Sequence, residues 1–156
     1  MRKFIYPALA LCLLGLTACG PDIVYAEQRD LPRGWSYADS LAFPFTIADT
    51  SAAYDLEVTL DHGTDFPYQN TYVLLHTTFP DGHRTTSRVN LQLAGDFGVW
   101  KGDCSATSCT YLTPIALGTR FREAGTYVLT VEQNSREEVI GAVTGVGVRV
   151  LRADGN

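Results

Sequence analysis

Apolar and polar residues alternate with a period of two through most of this chain. In residues 41–47, and again in residues 54–60, every second side chain is large and apolar. A period of two places successive side chains on opposite faces of an extended strand, so each segment predicts a strand with one buried face. Pro44 lacks a backbone N–H, which predicts a sheet edge or a bulge there. No stretch of twelve residues combines helical periodicity with caps, so the pattern favours β architectures.

Five further segments are also predicted to form strands. Residues 71–79 are apolar on both faces, which predicts a central strand packed on two sides. Residues 80–83 have turn sequence and alternation resumes at 85–93, so we expect a hairpin. Seven to nine short strands joined by Gly, Pro, Asp and Asn turns predict an all-β protein, an antiparallel β-sandwich of immunoglobulin-like or jelly-roll-like type. The remaining predicted strands are 111–117, 127–131 and 146–150.

The first nineteen residues have the layout of a bacterial lipoprotein signal. Two basic residues precede an apolar run over residues 4–16, and Leu16-Thr17-Ala18 precedes Cys19. Small residues before a cysteine at the end of such a run predict cleavage and lipidation at Cys19. An ordinary secretory signal cleaved after Ala18 is the alternative. A retained transmembrane helix is disfavoured because the apolar run is short and contains Pro7.

The domain organisation follows from this signal. The 138 residues that remain after cleavage suit one domain with a hydrophobic core. We expect a lipid-anchored protein of the cell envelope, at the outer rather than the inner membrane, in an oxidising compartment. The predicted parts are a signal peptide at 1–18, the lipidated cysteine and a lead-in segment at 19–33 in which Ile23-Val24-Tyr25 can form a short first strand, a single β-sandwich domain at 34–152 and a tail at 153–156.

The charge balance argues against several classes of partner. Removal of residues 1–18 leaves 10 basic and 17 acidic residues, a formal net charge of −7. An acidic surface disfavours nucleic acid and electrostatic binding to anionic lipid, so the acyl chains would hold the protein on the membrane. The hydrophobic content of 46% lies outside the range of disordered chains. We therefore expect a folded protein bound to the membrane through its N-terminal lipid.

Two cysteines remain outside the signal and the lipid site. Cys12 lies within the signal, which leaves Cys104 and Cys109 as the thiols of the folded domain. In an oxidising compartment, two cysteines separated by Ser-Ala-Thr-Ser predict a disulfide that closes a short loop. Zinc is the alternative, but it requires two further ligands, and the sequence offers no second cysteine pair or spaced histidine pair.

Few residues have the spacing that catalysis or metal binding needs. His62 is the best candidate ligand because Asp61 and Asp65 flank it, but Asp, Gly and Thr are ordinary loop residues without EF-hand spacing. His76 is expected to be a partly buried packing residue and His83 to be solvated. The sequence has no nucleophile elbow, zinc-protease motif or phosphate-binding glycine loop. We predict no catalytic residues, no metal site, no cofactor and no small-molecule substrate.

Several segments, taken in order, resemble one known family. Through them the chain resembles the gliding-motility lipoprotein GldH family of the Bacteroidetes, over essentially the whole mature chain. The loop from Cys104 to Cys109 departs from the family pattern, which has a glycine-rich stretch after the tryptophan. The segments that carry the resemblance are Asp65-Phe66-Pro67-Tyr68-Gln69-Asn70-Thr71-Tyr72, Phe79-Pro80-Asp81-Gly82, Leu93-Ala94-Gly95-Asp96, Trp100-Lys101-Gly102-Asp103, Phe121-Arg122-Glu123-Ala124-Gly125-Thr126-Tyr127, Glu132-Gln133-Asn134-Ser135-Arg136 and Thr144-Gly145-Val146-Gly147-Val148-Arg149-Val150.

The resemblance implies an envelope lipoprotein without enzymatic activity that associates with the gliding apparatus and the linked type IX secretion system. We therefore expect an accessory or structural component that binds other envelope proteins. A carbohydrate-binding or adhesive surface lipoprotein is the alternative, and it would expose two or three coplanar aromatic rings flanked by Asp, Asn or Arg. An enzyme is a third reading and would need His62 or His76 beside a perturbed carboxylate. The candidate partner surface consists of Trp35, Tyr68, Trp100 and Arg136.

Replacement of Cys19 by alanine tests the predicted anchor. The variant Cys19→Ala should leave the detergent phase of a two-phase partition, because it lacks the thiol that accepts lipid. Wild-type protein should incorporate labelled fatty acid and the variant should not. A variant that stays in the detergent phase, together with an unlabelled wild type, would show that the chain is not a lipoprotein.

Overall fold

The computed structural model describes residues 20–153, and their regular structure is β-strand apart from one 3₁₀ turn at Asp96–Gly98. The predicted all-β sandwich is confirmed. No helix in residues 20–153 is long and apolar enough to cross a membrane. The strands are β1 (Ile23–Asp30), β2 (Trp35–Ser36), β3 (Leu41–Ile47), β4 (Tyr54–Gly63), β5 (Asn70–Thr78), β6 (Arg84–Gln92), β7 (Asp103–Cys104), β8 (Ser108–Thr119), β9 (Gly125–Gln133), β10 (Val139–Ile140) and β11 (Val143–Arg152).

The strands form two main antiparallel sheets and a small ribbon. The five-stranded sheet has the order β1-β11-β4-β8-β7, and the four-stranded sheet has the order β3-β9-β5-β6. β2 pairs with β10 in the two-stranded ribbon. The predicted hairpin is present, since β5 and β6 pair over nine residues from Asn70↔Gln92 to Thr78↔Arg84. Neighbours in a sheet are often distant in the sequence, so tertiary contacts determine the strand order.

The core lies between the inner faces of the two main sheets. Along β4 the side chains alternate strictly between buried and half-exposed. β9 and β3 supply the facing layer, in which Phe45 stacks on Tyr127 with ring centroids 5.8 Å apart. Each fully buried side chain of this size contributes about 1.5–3 kcal/mol through removal of apolar surface from water. The largest side chains buried to below 2% exposure are Trp35, Tyr54, Tyr127, Phe43, Ile47, Leu60, Leu91, Leu93 and Leu129.

Strand β5 is central in its sheet but is packed on one face only, which corrects the prediction for residues 71–79. Thr71, Val73 and Leu75 face the core and are buried. On the other face Tyr72 is exposed and His76 is half-buried. No second layer of residues 20–153 covers this outer face. The apolar residues that β5 has on this face are therefore not part of a core.

Three short strands were not predicted, because two residues are too few to show a period. The ribbon of β2 and β10 lies against the core through Trp35 and Ile140, which are both buried. β7 pairs with the start of β8 through Asp103↔Thr110 and Cys104↔Cys109. The eight longer strands have seven to twelve residues and account for the predicted number of strands.

Strand β1 lies within residues 19–33, the segment that we expected to be a lead-in with a short first strand at 23–25, and the strand extends further, to Asp30. It pairs with β11 from Ile23↔Leu151 to Asp30↔Gly145 and forms one edge of the five-stranded sheet. We therefore propose that the folded domain begins at about residue 23 rather than at residue 34. The predicted signal at 1–18, the lipid site Cys19 and residues 154–156 of the predicted tail lie outside the described residues.

The register defines two ends of the sandwich. At the proximal end β1 begins, and Tyr54 at the start of β4 pairs with both Arg152 and Thr119. The connections over 48–53 and 120–124 join this end to Ile47 and Gly125 of the four-stranded sheet. At the distal end β1, β4, β6 and β9 end. The distal loops are therefore 31–40, 64–69, 93–107 and 134–142.

A disulfide between Cys104 and Cys109 closes a distal loop in the structure. The two residues face each other across the β7–β8 hairpin, and the Ser105 N–H donates to the Ser108 carbonyl oxygen over 2.8 Å. The backbone hydrogen bond and the cross-strand pairing hold this turn in shape independently of the sulfur atoms. The bond therefore adds a local clip to a loop that is already hydrogen-bonded.

Without reductant, mass spectrometry should find the mature protein two hydrogens lighter than the dithiol form. A loop this short excludes few unfolded conformations, so Cys104→Ser with Cys109→Ser should lower the free energy of unfolding by about 2 kcal/mol or less. The reduced wild type is the matched control. Two free thiols in protein from an oxidising compartment would contradict the bridge, and global unfolding of the double variant would contradict its local role.

Candidate partner-binding groove

Trp35 is not on the surface, so its place in the predicted partner surface is wrong. Its side chain has 0% exposure, and its indole Nε1–H donates to the Asp39 carbonyl oxygen over 3.1 Å. The ribbon of β2 and β10 places this indole against the core. A buried indole with a satisfied N–H stabilises the fold and has no atom left to present to a partner.

Trp100 is half-buried and supports other side chains. Its ring lies edge-on to His62, with centroids 4.8 Å apart, and to Phe66, with centroids 6.4 Å apart. Phe66 is buried and contacts Tyr68 edge-on at 6.0 Å. Trp100 therefore packs against Phe66, and Phe66 packs against Tyr68. Trp100 contributes to the partner surface only indirectly, through these contacts.

The structure brings Tyr68 and Arg136 together in one groove of about 580 Å³ at the distal end. Tyr68 lies in the loop between β4 and β5, and Arg136 lies in the loop after β9. The groove therefore runs from the loop after β9 across β5 to β6. Its lining residues are Tyr68, Asn70, Thr71, Tyr72, Arg88, Asn134, Ser135 and Arg136, and we call it the distal groove.

A buried glutamine fixes one wall of the distal groove. Gln133 has 4% exposure, and its amide nitrogen donates to the Glu137 carbonyl oxygen over 2.9 Å. Its amide oxygen accepts a hydrogen bond from the Ser135 N–H over 2.9 Å. The Asn134 N–H donates to the Tyr72 carbonyl oxygen over 2.9 Å. These bonds hold the loop that carries Arg136 in place before any ligand binds.

Tyr68 is 48% exposed and belongs to the same hydrogen-bond system. Its hydroxyl donates to Oε1 of Glu137. The hydrogen bond to this carboxylate raises the pKa of Tyr68 above its ordinary value of 10.0. The Tyr68 hydroxyl therefore stays a donor to Glu137 and occupies one oxygen of that carboxylate.

Two residues of the groove, Tyr72 and Arg88, were missed in the sequence. The guanidinium carbon of Arg88 lies 4.2 Å from the centroid of the Tyr72 ring, in cation–π geometry. Tyr72 pairs with Asn90, and Arg88 pairs with Leu74, so both side chains lie on the outer face of the hairpin. The sequence could have identified this pair, because the alternating register of the predicted hairpin places Tyr72 and Arg88 on the same face of neighbouring strands.

The distal groove is positively charged on a chain of negative net charge. Neither Arg88 nor Arg136 forms an ion pair with another residue in the range 20–153. A planar guanidinium presents several N–H donors that bind carboxylates in pairs. The groove can therefore bind an anionic group beside two tyrosine rings.

His62 and its flanking carboxylates do not form a metal site. The His62 ring is buried, and its Nδ1–H donates to the Gly63 carbonyl oxygen over 2.8 Å. Asp61 belongs to the opposite face of β4 and accepts hydrogen bonds from Gln28 and Thr110, each over 2.7 Å. Within residues 20–153 no group of three His, Cys, Asp or Glu side chains could hold a metal ion. Asp61 and His62 are adjacent in β4, so the alternation of the strand places their side chains on opposite faces of the sheet.

His76 joins a hydrogen-bond chain across the outer face of the four-stranded sheet. Its Nδ1 lies 2.8 Å from Thr86 Oγ1, and its Nε2 lies 3.2 Å from Oε2 of Glu132. The Ser40 hydroxyl donates to the other carboxylate oxygen over 2.7 Å. The hydrogen bond from Ser40 lowers the pKa of Glu132 below its ordinary value of 4.5, and His76 lowers it further. The chain links β5, β6 and β9 to the residue before β3.

Comparison with known proteins identifies relatives along nearly the whole chain. The model of the family described as GldH lipoprotein matches residues 23–150. The gliding motility lipoprotein GldH homolog of Christiangramia forsetii is 22% identical over 149 residues, which cover 88% of this chain and 89% of the relative. The gliding motility lipoprotein GldH of Flavobacterium johnsoniae is 22% identical over 157 aligned positions, which cover 94% of this chain and 95% of the relative.

Replacement of Glu132 by glutamine tests the chain of hydrogen bonds on the outer face. A folded-state pKa below the ordinary value stabilises the fold above that value, and this stabilisation is lost as pH falls through the folded-state pKa. The difference in unfolding free energy between wild type and Glu132→Gln should therefore shrink as pH is lowered from neutral to below about 4. Urea denaturation at several pH values measures it.

The exposed Glu138 provides a matched control, because its carboxylate forms no ion pair with other residues in 20–153. Glu138→Gln should leave the pH dependence of stability close to that of wild type. A Glu132→Gln variant whose stability difference from wild type stayed constant with pH would contradict the role given to Ser40 and His76.

Proposed function

The chain belongs to the GldH lipoprotein family, and from this premise we propose that it is a non-catalytic accessory component of the gliding-motility and associated secretion machinery. In this proposal Cys19 anchors the protein in the envelope, in the outer rather than the inner membrane, and the distal groove binds another envelope protein. Both relatives carry the name gliding motility lipoprotein, which supports a lipoprotein role in gliding motility.

The position of the distal groove, at the end of the sandwich opposite the start of β1, is the observation that carries this proposal. Only Gly20, Pro21 and Asp22 separate Cys19 from β1, and such a linker spans at most about 11 Å. β1 begins at the proximal end, so a lipid on Cys19 would hold this end against the membrane. β4 has ten residues, which span about 30 Å. The groove would then face away from the membrane, where a second protein can reach it.

The composition of the groove supports a protein partner. Tyr and Arg are enriched among the residues that dominate binding energy in protein interfaces, and Tyr68, Tyr72, Arg88 and Arg136 supply both types. The hydrogen bonds of Gln133 hold the wall rigid, which reduces the entropy lost on binding. A preformed groove of this kind favours a stable protein contact.

Carbohydrate binding is the second candidate, and one observation favours it. Tyr68 and Tyr72 are exposed, and Asn70 and Asn134 lie beside them in the groove. Aromatic rings next to amides and arginines are the arrangement expected of a sugar site. Arg88 counts against it, because the guanidinium covers a face of the Tyr72 ring on which a sugar would stack.

Photocrosslinking in the intact envelope tests the protein partner. A photoreactive phenylalanine derivative replaces Tyr68 in one strain and Arg136 in another. Leu117 provides the matched control, because it is 68% exposed and lies near the end of β8, away from the groove. The proposal expects the same protein adduct from both groove positions and none from the control position, as identified by mass spectrometry.

Two results would contradict the proposed function. One is the absence of any protein adduct from either groove position in a strain that produces the lipidated protein at its normal level. The other is an equal yield of the same adduct from the position of Leu117. Binding of envelope polysaccharide to wild type, lost when Tyr68 and Tyr72 are both replaced by alanine, would favour the carbohydrate reading instead.

A further inference from the structure

We propose that the distal groove and the free edge of β6 bind an extended acidic segment of a partner protein. The inference rests on the proposed function, in which the groove binds a protein, and it adds the chemistry and conformation of the bound segment. Two independent features support it: the positive charge of the groove, and the edge of β6 beside it, which pairs with no other strand in residues 20–153.

The charge of the groove favours the binding of carboxylates. Arg88 and Arg136 line the same groove, and neither has an ion-pair partner in the part of the chain that the structure describes. The acids beside the groove already bind other side chains: the Glu137 carboxylate binds the Tyr68 hydroxyl, and the Glu132 carboxylate binds Ser40 and His76 on the same outer face. The guanidinium carbon of Arg88 lies 4.2 Å from the centroid of the Tyr72 ring, and within residues 20–153 no hydrogen bond or ion pair occupies its N–H groups, which can therefore bind a carboxylate.

The edge strand beside the groove is open for pairing. β6 pairs with β5 over nine consecutive residues without a register shift, and within residues 20–153 no strand pairs with its other side. The other long edges carry features that hinder strand addition. Pro44 interrupts the donors of β3, Pro114 interrupts those of β8, and β1 has a register shift between Ile23 and Tyr25.

The side chains of β6 select the type of strand that can be added. Arg84 and Arg88 both lie on its outer face, so pairing with a second β6 would bring like charges together and is disfavoured. An acidic segment meets opposite charges at the same positions. In an added strand every second side chain points to the groove side, so the matching segment has Asp or Glu at alternate positions.

Binding of defined peptides to the full-length protein in detergent tests the proposal. The probe is a fluorescent peptide of alternating Glu and Val residues, and the matched peptide has Gln in place of Glu. The Glu peptide should bind more tightly than the Gln peptide, and added salt should weaken its binding. Arg88→Glu together with Arg136→Glu should weaken binding by about tenfold or more.

Arg122 provides the charge-matched control, because it is exposed and lies between β8 and β9 at the proximal end. Arg122→Glu should leave peptide binding close to the wild-type value. Arg88→Lys keeps the charge but loses the planar set of N–H donors that binds a carboxylate in pairs, so it should bind with intermediate affinity. Circular dichroism of each variant should match wild type, because all three side chains are exposed.

Several results would overturn the inference. They are equal binding of the Glu and Gln peptides, unchanged binding by the doubly substituted variant, an absence of binding at millimolar peptide, or preferential binding of an acidic oligosaccharide such as oligogalacturonate. Crosslinks from Tyr68 and Arg136 to a protein, combined with no binding of the acidic peptide, would refute the acidic segment alone. Absence of crosslinks would refute the proposed function itself.

Discussion

Burial of one face of each sheet against the other is the constraint on which the rest of the structure depends. Side chains alternate across a strand, so a slip by one residue would exchange the buried and solvated sets. Val73 faces the core, and its neighbour Tyr72 must therefore face outward. The same rule places Arg88 outward on the adjacent strand. The packing of the core thus also determines which side chains form the distal groove.

One wall of the groove is fixed because Gln133 is buried and both polar atoms of its side-chain amide are hydrogen-bonded. Gln133 would destabilise the core if its amide were unpaired, since a buried amide without partners costs free energy. Hydrogen bonds to the backbone of residues 135 and 137 remove this penalty and fix the loop. One buried side chain therefore contributes both to the stability of the distal end and to the shape of the groove.

Charge and anchoring have separate physical origins in this protein. Acyl chains on Cys19 would hold the protein on the membrane through hydrophobic transfer, which does not depend on surface charge. The chain has a net negative charge, and Arg88 and Arg136, which form no ion pair within residues 20–153, make a local positive site in the groove. Such a contrast favours partners by the sign of their charge, at the end of the sandwich opposite the start of β1.

The sequence alone determined the strands whose period is local. The prediction for β3 matches the observed Leu41–Ile47, and the turn at residues 80–83 correctly predicted the β5–β6 hairpin. The sequence also led to the family, because the order and spacing of its segments from residue 65 to residue 150 resemble those of the family.

Tertiary structure decided which side chains meet. Trp35 is buried because its two-residue strand pairs with Val139–Ile140 from the far end of the chain, and no local pattern shows that pairing. Tyr68 and Arg136 share a groove because β9 and β5 are neighbours in the sheet, although far apart in sequence. Alternation depends on residues two positions apart, so it can be read locally. Strand order and loop placement depend on burial of the whole core, so they emerge only when the chain folds.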